Sequence, residues 1–179
     1  MSFEFMELNI KGIYRIIPRV FKDGRGYFTE IYKRSEFKSI GINVDFNQDN
    51  QSYSAKGTLR GLHFQRPPYS QGKLVRVSEG KIFDVAVDLR INSPTFGNYV
   101  SAILSGDNMH MLWIPEGFAH GFLALENSLV NYKATSEYNK ESEGGIIWND
   151  SSINIKWPEN PSELSEKDKL WPTLSNSKL

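Results

Sequence analysis

Short runs of alternating hydrophobic and polar residues dominate the chain between about residue 44 and residue 135. Most of them stop at a glycine, proline, asparagine or aspartate, and the clearest are 73–77, 81–89, 99–104, 109–114, 120–125 and 129–134. Alternation with a period of two is typical of strands that bury one face. Because such strands recur every ten or so residues, the pattern predicts an all-β sandwich or closed barrel.

Helix signals are short and lie outside this region. Residues 35–40 begin with a capping serine and end at Gly41, and residues 165–170 have the length of a single turn. The C-terminal third is rich in proline and holds Trp148, Trp157 and Trp171, which we interpret as anchors of an irregular tail. We therefore predict one domain over residues 1–179, with a barrel core at about 44–135 and the tail packed on it.

The amino-acid composition argues against two classes of binding partner, nucleic acids and membranes. The chain has 179 residues, of which 39% are hydrophobic, and its 21 basic residues balance its 21 acidic ones. A neutral chain gives no overall field to attract a nucleic acid or a membrane, so neither partner is expected. No run approaches the ~20 apolar residues of a membrane span, and there is no cysteine. The N-terminal residues lack the pattern of a secretory signal, and we expect a cytoplasmic location.

The segment at residues 59–65, LRGLHFQ, holds the first candidate for chemistry. Strict alternation places His63 and Gln65 on one face of a strand and Arg60 on the other. Both faces reach one cavity only if the strand bends or bulges, and Gly61 is the residue that permits this. The pattern alone leaves open whether His63 is a buried structural histidine or a base.

Two further side chains could have either a structural or a catalytic role. Lys73 begins an apolar strand, so it either reaches solvent along that strand or, if enclosed, stabilises a developing oxyanion. Tyr132 shares a strand face with Val130 and Ala134 and is a core residue unless its hydroxyl has a partner.

A metal site is not favoured. The chain has three histidines, His63, His110 and His120, and no histidine pair beside a carboxylate of the kind that binds transition metals. Residues 23–30, DGRGYFTE, lack the lysine and the strand-to-helix context of a nucleoside-triphosphate loop and fit an ordinary turn.

Taken together, these segments resemble the dTDP-4-dehydrorhamnose 3,5-epimerase family. The matching segments cover nearly the whole chain in order, and they are 23–28, 48–50, 59–65, 71–76, 83–88, 93–97, 113–122, 132–135 and 164–168. The resemblance implies a cupin-like jelly-roll barrel with short peripheral helices, a homodimer, and no metal or organic cofactor. It also implies dTDP-4-keto-6-deoxy-D-glucose as the substrate, epimerised at C3 and C5 to dTDP-4-keto-L-rhamnose in dTDP-L-rhamnose biosynthesis.

The resemblance also implies a role for individual residues. His63 would be the base, Asp168 would orient it, Tyr132 would be the acid, and Lys73 would face the C4 oxygen. The nucleotide diphosphate or sugar would be bound by Arg60, Gln48, Asn50, His120, Glu143 and Lys167. Arg25 and Glu30 would reach in from the partner subunit, so that the dimer shares its active sites.

The chain departs from the family pattern at three places, and several rival functions stay open. Where the family often has two tyrosines, Glu137 occupies the first place and Tyr138 the second. Gln51 stands where histidine is common, and residues 109–111, MHM, replace a more basic stretch. An enzyme that epimerises one carbon or isomerises the ketone could carry the same base and lysine. A non-catalytic barrel that binds a sugar nucleotide is another alternative, although binding needs no acid–base pair. A metal-dependent oxygenase on the same barrel is disfavoured by the histidine count.

Overall fold

The computed structural model describes all residues from Met1 to Leu179. The two α-helices are short, α1 at Arg34–Ser39 and α2 at Glu166–Lys169, and a single 3₁₀ turn covers Leu174–Asn176. The thirteen strands are β1 Phe3–Glu7, β2 Tyr14–Pro18, β3 Val20–Asp23, β4 Gly26–Thr29, β5 Gln48–Ser54, β6 Leu59–Gln65, β7 Lys73–Glu79, β8 Lys81–Asp88, β9 Tyr99–Ser105, β10 Met111–Ile114, β11 Phe118–Ala124, β12 Ser128–Ala134 and β13 Glu143–Gly145. No helix of the chain has the length and apolar character needed to cross a bilayer.

The strands form two antiparallel sheets that face each other. One has the order β1-β2-β10-β7-β12-β5 and the other the order β13-β6-β11-β8-β9, while β3 and β4 form a separate hairpin. Between β5 and β12 the chain passes repeatedly from one sheet to the other, which is the connectivity of a jelly roll. The predicted all-β, cupin-like jelly-roll barrel with short peripheral helices is confirmed.

The hydrophobic core is formed by the apolar strand faces that the alternating sequence pattern predicts. Val75 and Val77 of β7 pack between the sheets against Ile82 and Ala86 of β8, and all four are buried. Lys73 precedes these valines on the same face, at the end of β7. The apolar stripe of one strand therefore ends in an ammonium at one end of the barrel.

The C-terminal tail packs on the five-stranded sheet. Ile146 and Ile153 of the tail join a cluster with Val85 and Val87 of β8. The indole of Trp157 contacts the ring of Phe83, with centroids 5.7 Å apart, and its N–H donates to a tail carbonyl. An aromatic group thus anchors the irregular tail through both its apolar face and its polar atom.

The N-terminal segment carries strands that the sequence pattern did not reveal. β1 and β2 extend the six-stranded sheet, and β13 extends the other, so the sheets reach beyond residues 44–135. Residues 23–26 form the expected turn, but β3 and β4 on either side of it pair as a hairpin. Both hairpin strands are largely exposed, so they lack the one-sided apolar pattern by which a strand is recognised.

Candidate active site

A cavity of about 670 Å³ opens at one end of the barrel between the two sheets. It draws side chains from β6, β7, β11 and β12 and from α2 in the C-terminal tail. The predicted residues that line it are His63, Lys73, Tyr132, Asp168, Arg60, His120, Glu143 and Lys167. The fold therefore brings together eight of the twelve site residues predicted from the sequence.

A bulge in β6 allows Arg60 and His63 to line the same cavity. His63 pairs with His120 and Arg60 with Phe122, so three steps along β6 lie opposite two steps along β11. Gly61 occupies the irregular position with φ +133°, and a Cβ there would lie 2.5 Å from the Cα of Gly121. Glycine is required because both the backbone conformation and the close approach of β11 exclude a side chain.

His63 and Asp168 form an imidazole–carboxylate pair in the cavity. Nε2 of His63 lies 2.6 Å from Oδ1 of Asp168, although the two residues are 105 positions apart in the chain. Asp168 lies on α2, whose N-cap Ser165 accepts a hydrogen bond from the Asp168 backbone N–H. Burial favours a raised pKa for the Asp168 carboxyl, but the hydrogen bond and charge of His63 outweigh it and lower that pKa. A charged carboxylate therefore fixes the orientation of the His63 ring.

Lys73 is enclosed rather than exposed at the surface. It is 7% exposed and lies between Ile114 of β10 and Ala134 of β12 in the six-stranded sheet. Burial lowers the pKa of its ammonium group to about 8, with no carboxylate nearby to oppose the effect. An ammonium without a counter-ion in a cavity can stabilise negative charge that develops on a bound molecule.

Tyr132 contributes a phenol to the same cavity from β12. It lies opposite Val75 and Asn50 and is partly buried. Burial raises the pKa of the phenol, while the positive charge of Arg60 acts in the opposite direction. The group therefore keeps its proton at neutral pH and is available as a proton donor.

A second histidine–carboxylate pair lies beside the first. Nε2 of His120 is 2.7 Å from Oδ1 of Asp84, a fully buried residue on β8. The sequence analysis did not select Asp84, although a carboxylate in the middle of an otherwise apolar strand is a signal that could have found it. The pair orients His120 at the wall of the cavity, opposite His63 across the strands.

The rim of the cavity carries a charged cluster. Nζ of Lys167 lies 2.6 Å from Oε1 of Glu143, and the Tyr138 hydroxyl donates to the other Glu143 oxygen. Gln65 lines the cavity too, but its amide bonds the backbone of the neighbouring loop at Tyr69, Glu137 and Asn139. Gln65 thus supports the wall and is not free for a ligand.

Four predicted site residues lie outside this cavity. Gln48 and Asn50 are on β5 and are joined by a 2.7 Å hydrogen bond, and Asn50 lines a smaller neighbouring cavity with Tyr132. Arg25 is exposed on the β3–β4 hairpin and pairs with Asp23. Glu30 follows the hairpin and accepts a hydrogen bond from the Ser2 hydroxyl.

No group of three or more histidine, aspartate or glutamate side chains is arranged to hold a metal ion. His110 does not line the cavity. Burial and the charge of Arg15 lower the pKa of its imidazole. The groups in the cavity that can move protons are instead an imidazole paired with a carboxylate, a phenol and an ammonium. A jelly-roll barrel with these groups in one cavity defines an acid–base enzyme.

Comparison with known proteins gives the family. The profile of the dTDP-4-dehydrorhamnose 3,5-epimerase family matches residues 7–176. A dTDP-4-dehydrorhamnose 3,5-epimerase of Salmonella typhimurium is 53% identical over 165 residues, which cover 90% of this chain and 90% of the relative. The chain belongs to the dTDP-4-dehydrorhamnose 3,5-epimerase family, and it is an isomerase.

Two solved structures agree with this assignment. The crystal structure of the dTDP-4-dehydrorhamnose 3,5-epimerase from Sulfolobus tokodaii is 47% identical, with a TM-score of 0.94 over 100% of this chain and 99% of that one. A dTDP-6-deoxy-D-glucose-3,5-epimerase from Legionella pneumophila, in complex with dTDP-4-keto-L-rhamnose, is 43% identical. Its TM-score is 0.94, covering 97% of this chain and 94% of that chain.

Proposed function

We propose that the chain epimerises dTDP-4-keto-6-deoxy-D-glucose at C3 and C5 to dTDP-4-keto-L-rhamnose. The observation that carries the proposal is the enclosure of His63, Lys73 and Tyr132 in one cavity, with Asp168 bonded to the base. Family membership supports the same substrate, since the Legionella relative was solved with dTDP-4-keto-L-rhamnose.

The chemistry requires one stabilised oxygen and two groups that transfer protons. C3 and C5 both flank the C4 ketone, so removal of either proton gives an enolate with its charge on the same C4 oxygen. The ammonium of Lys73 stabilises that charge in both steps. One cation therefore serves two successive inversions.

The base and the acid act from different elements of the fold. His63, held by Asp168, takes the proton from carbon, and Tyr132 returns a proton to the opposite face of the enolate ring. Inversion needs this second donor, since return of a proton by His63 would restore the original configuration. His120, held by Asp84, binds the sugar beside them.

The nucleotide diphosphate binds at the mouth of the cavity in this proposal. Arg60 and Lys167 supply positive charge there, and both line the cavity. Glu143 bonds both Lys167 and Tyr138 and sets the position of these two side chains. Gln48 and Asn50 extend the binding surface along β5.

Deuterium incorporation tests the reaction. Incubation of the protein with dTDP-4-keto-6-deoxy-D-glucose in D₂O is expected to place deuterium at both C3 and C5, because each inversion exchanges a carbon-bound proton with solvent. Proton NMR of the recovered sugar nucleotide measures the loss of each signal. A His63→Ala sample is the control for exchange without the enzyme base.

The same experiment separates the rival functions. Deuterium at one carbon only would identify an enzyme that epimerises a single centre, and a 3-keto product would identify a ketoisomerase. Binding of the sugar nucleotide with no exchange at either carbon would identify a non-catalytic barrel. Each of these results contradicts the double epimerisation.

The proposal includes a homodimer with shared active sites. The β3–β4 hairpin exposes Phe21, Tyr27 and Phe28 by 45%, 61% and 67%, and exposed aromatic residues grouped in this way are typical of a protein interface. Arg25 lies at the turn of this hairpin, where it can reach a partner subunit. Glu30 follows the hairpin and would accompany it. The cytoplasmic location stays a prediction.

Mixing two inactive variants tests the shared site. If Arg25 completes the partner's cavity, Arg25→Ala and His63→Ala are each expected to lower activity strongly as homodimers. After unfolding and refolding together, half of the dimers are mixed, and each contains one site with both residues intact. About a quarter of the sites should then be active. Activity no higher than the average of the separate variants would show that Arg25 does not act across the interface.

A further inference from the structure

Asp168 accepts hydrogen bonds from two ring N–H groups at the same oxygen. Nε1 of Trp171 lies 3.1 Å from Asp168 Oδ1, the atom that lies 2.6 Å from Nε2 of His63. The other carboxylate oxygen has only the backbone N–H of Gly61, at 3.5 Å. The indole and the imidazole therefore bind the same carboxylate oxygen, the one that orients the base.

The C-terminal tail holds Trp171 firmly in this position. The indole covers Gly145 of β13, where a Cβ would lie 2.2 Å from the ring. Nζ of Lys167 lies over the indole, 5.7 Å from its centroid, and the next residue of the chain, Pro172, accepts a backbone hydrogen bond from Ile147. The His63 and Trp171 rings meet edge to face at 6.1 Å. The hydrogen bond to Asp168 is thus part of a packed arrangement.

We propose that Trp171 is a positioning residue that tunes the His63–Asp168 pair. The indole N–H takes up part of the negative charge on Asp168 Oδ1, so the carboxylate attracts a protonated His63 less strongly. Without the indole N–H, the His63–Asp168 pair should hold a proton more strongly, so proton abstraction from carbon should weaken as the pH falls. The inference rests on the proposed role of His63 as the base.

Other titratable groups also face the pair, and Trp171→Phe alters none of their side chains and leaves an aromatic ring beneath Lys167. They come from every element around the cavity: Arg60 on β6, Lys73 on β7, His120 on β11, Tyr132 on β12, Glu143 on β13, Lys167 on α2, and Tyr138 and Glu163 in loops. These groups titrate in the variant as they do in the unaltered protein. The ratio of the two kcat/KM values at each pH therefore isolates the effect of the indole N–H.

Trp171→Phe removes the N–H and keeps an aromatic ring on Gly145. The acid limb of its kcat/KM against pH should move to higher pH, with about a 2–10-fold loss at pH 6 and less than a twofold change at pH 8, the size of one hydrogen bond. Trp157→Phe is the matched control, since its indole N–H donates to the Trp148 carbonyl outside the cavity. Its profile should overlay that of the unaltered protein.

Several outcomes would overturn the inference. An unshifted acid limb in Trp171→Phe would show that the indole does not tune the pair, and an equal loss at all pH values would show a purely structural role. His63→Ala is measured alongside. If His63→Ala retains full activity, the proposed function fails at its base. If His63→Ala is inactive and Trp171→Phe behaves as the unaltered protein, only this inference fails.

A measurement on the unaltered protein does not depend on whether Trp171→Phe folds. The indole N–H signals of the four tryptophans are followed by NMR of ¹⁵N-labelled protein as the pH is lowered. One signal should move over the same pH range as the acid limb, and the Trp157→Phe variant should retain it. A set of four signals that all stay in place across the acid limb would contradict the hydrogen bond and its role.

Discussion

His63→Ala is expected to lower kcat for epimerisation by about 10²–10⁴-fold, the usual contribution of a positioned acid–base group. The variant removes the one imidazole that is bonded to Asp168 and leaves no other group in its place. The His63 side chain is about one-third exposed in the cavity, so the fold should tolerate the loss. Exchange at C3 and C5 in D₂O and a thermal unfolding curve measure the two effects separately.

His110→Ala is the matched control for this prediction. His110 lies outside the cavity, near Arg15 and Glu4, and its removal should leave kcat within twofold. Asp168→Asn keeps the size of the orienting side chain but loses its charge, so we expect a loss in the same direction as His63→Ala. Full activity of folded His63→Ala protein would exclude His63 as the base.

Lys73→Met is expected to have opposite effects on activity and on stability. The loss of the ammonium should lower kcat by about 10²–10³-fold, as loss of an oxyanion-stabilising donor does in other enzymes. The fold, in contrast, should gain stability, because it no longer buries an ammonium without a counter-ion. A pKa that falls from 10.5 to about 8 on folding corresponds to a cost of about 3 kcal/mol at pH 7.

The sign of the pH dependence follows from the same pKa. Lys73 is charged below about pH 8 and loses its proton above it, so activity should fall on the alkaline side with a midpoint near that value. Between pH 8 and 10.5 the unfolded chain binds the additional proton, so the contribution of Lys73 to stability rises with pH over this range. The stabilising effect of Lys73→Met should therefore shrink as the pH is raised.

Lys81→Met is the control for Lys73→Met. Lys81 also begins a strand, but its ammonium is exposed and bonds Glu126 at 2.6 Å. Its replacement should change neither kcat nor the alkaline limb, and it should not raise the free energy of unfolding. Lys73→Met protein that is both fully active and no more stable than the unaltered chain would contradict the buried, functional ammonium.

Alternation and turn residues were sufficient to predict much of the fold. The strands from β7 to β12 follow hydrophobic runs, most of which end at glycine, proline or asparagine, and both short helices overlap the predicted segments. The predicted cap of α1 is wrong, because Lys33 is the N-cap and Ser35 lies inside the helix. The exposed strands of the N-terminal hairpin escaped prediction, because a strand without a buried face has no one-sided apolar pattern. A local hydrophobic pattern reflects burial, so it does not identify strands that are exposed in the single chain.

The family resemblance in the sequence selected eight side chains that line the cavity and four that lie outside it, and it did not reveal all of their contacts. His63, Lys73, Tyr132 and Asp168 were chosen on residue type and motif, and the structure places all four at one cavity. Asp84 was missed because its partner His120 is 36 positions away, and Gln65 proved to be committed to backbone groups. Contacts between distant segments depend on the register of the sheets, which no local pattern encodes.

The sequence by itself determined the all-β barrel, the buried face of each central strand and the residue types available for proton transfer, since these follow from local alternation and composition. Only the tertiary structure decided that Arg60 and His63 share a cavity, because the bulge depends on Gly61 packing against Gly121 of another strand. It also decided that Lys73 is buried without a counter-ion and that Asp168 receives both an imidazole and an indole. Burial and hydrogen bonding between distant segments set these properties, and both exist only in the folded chain.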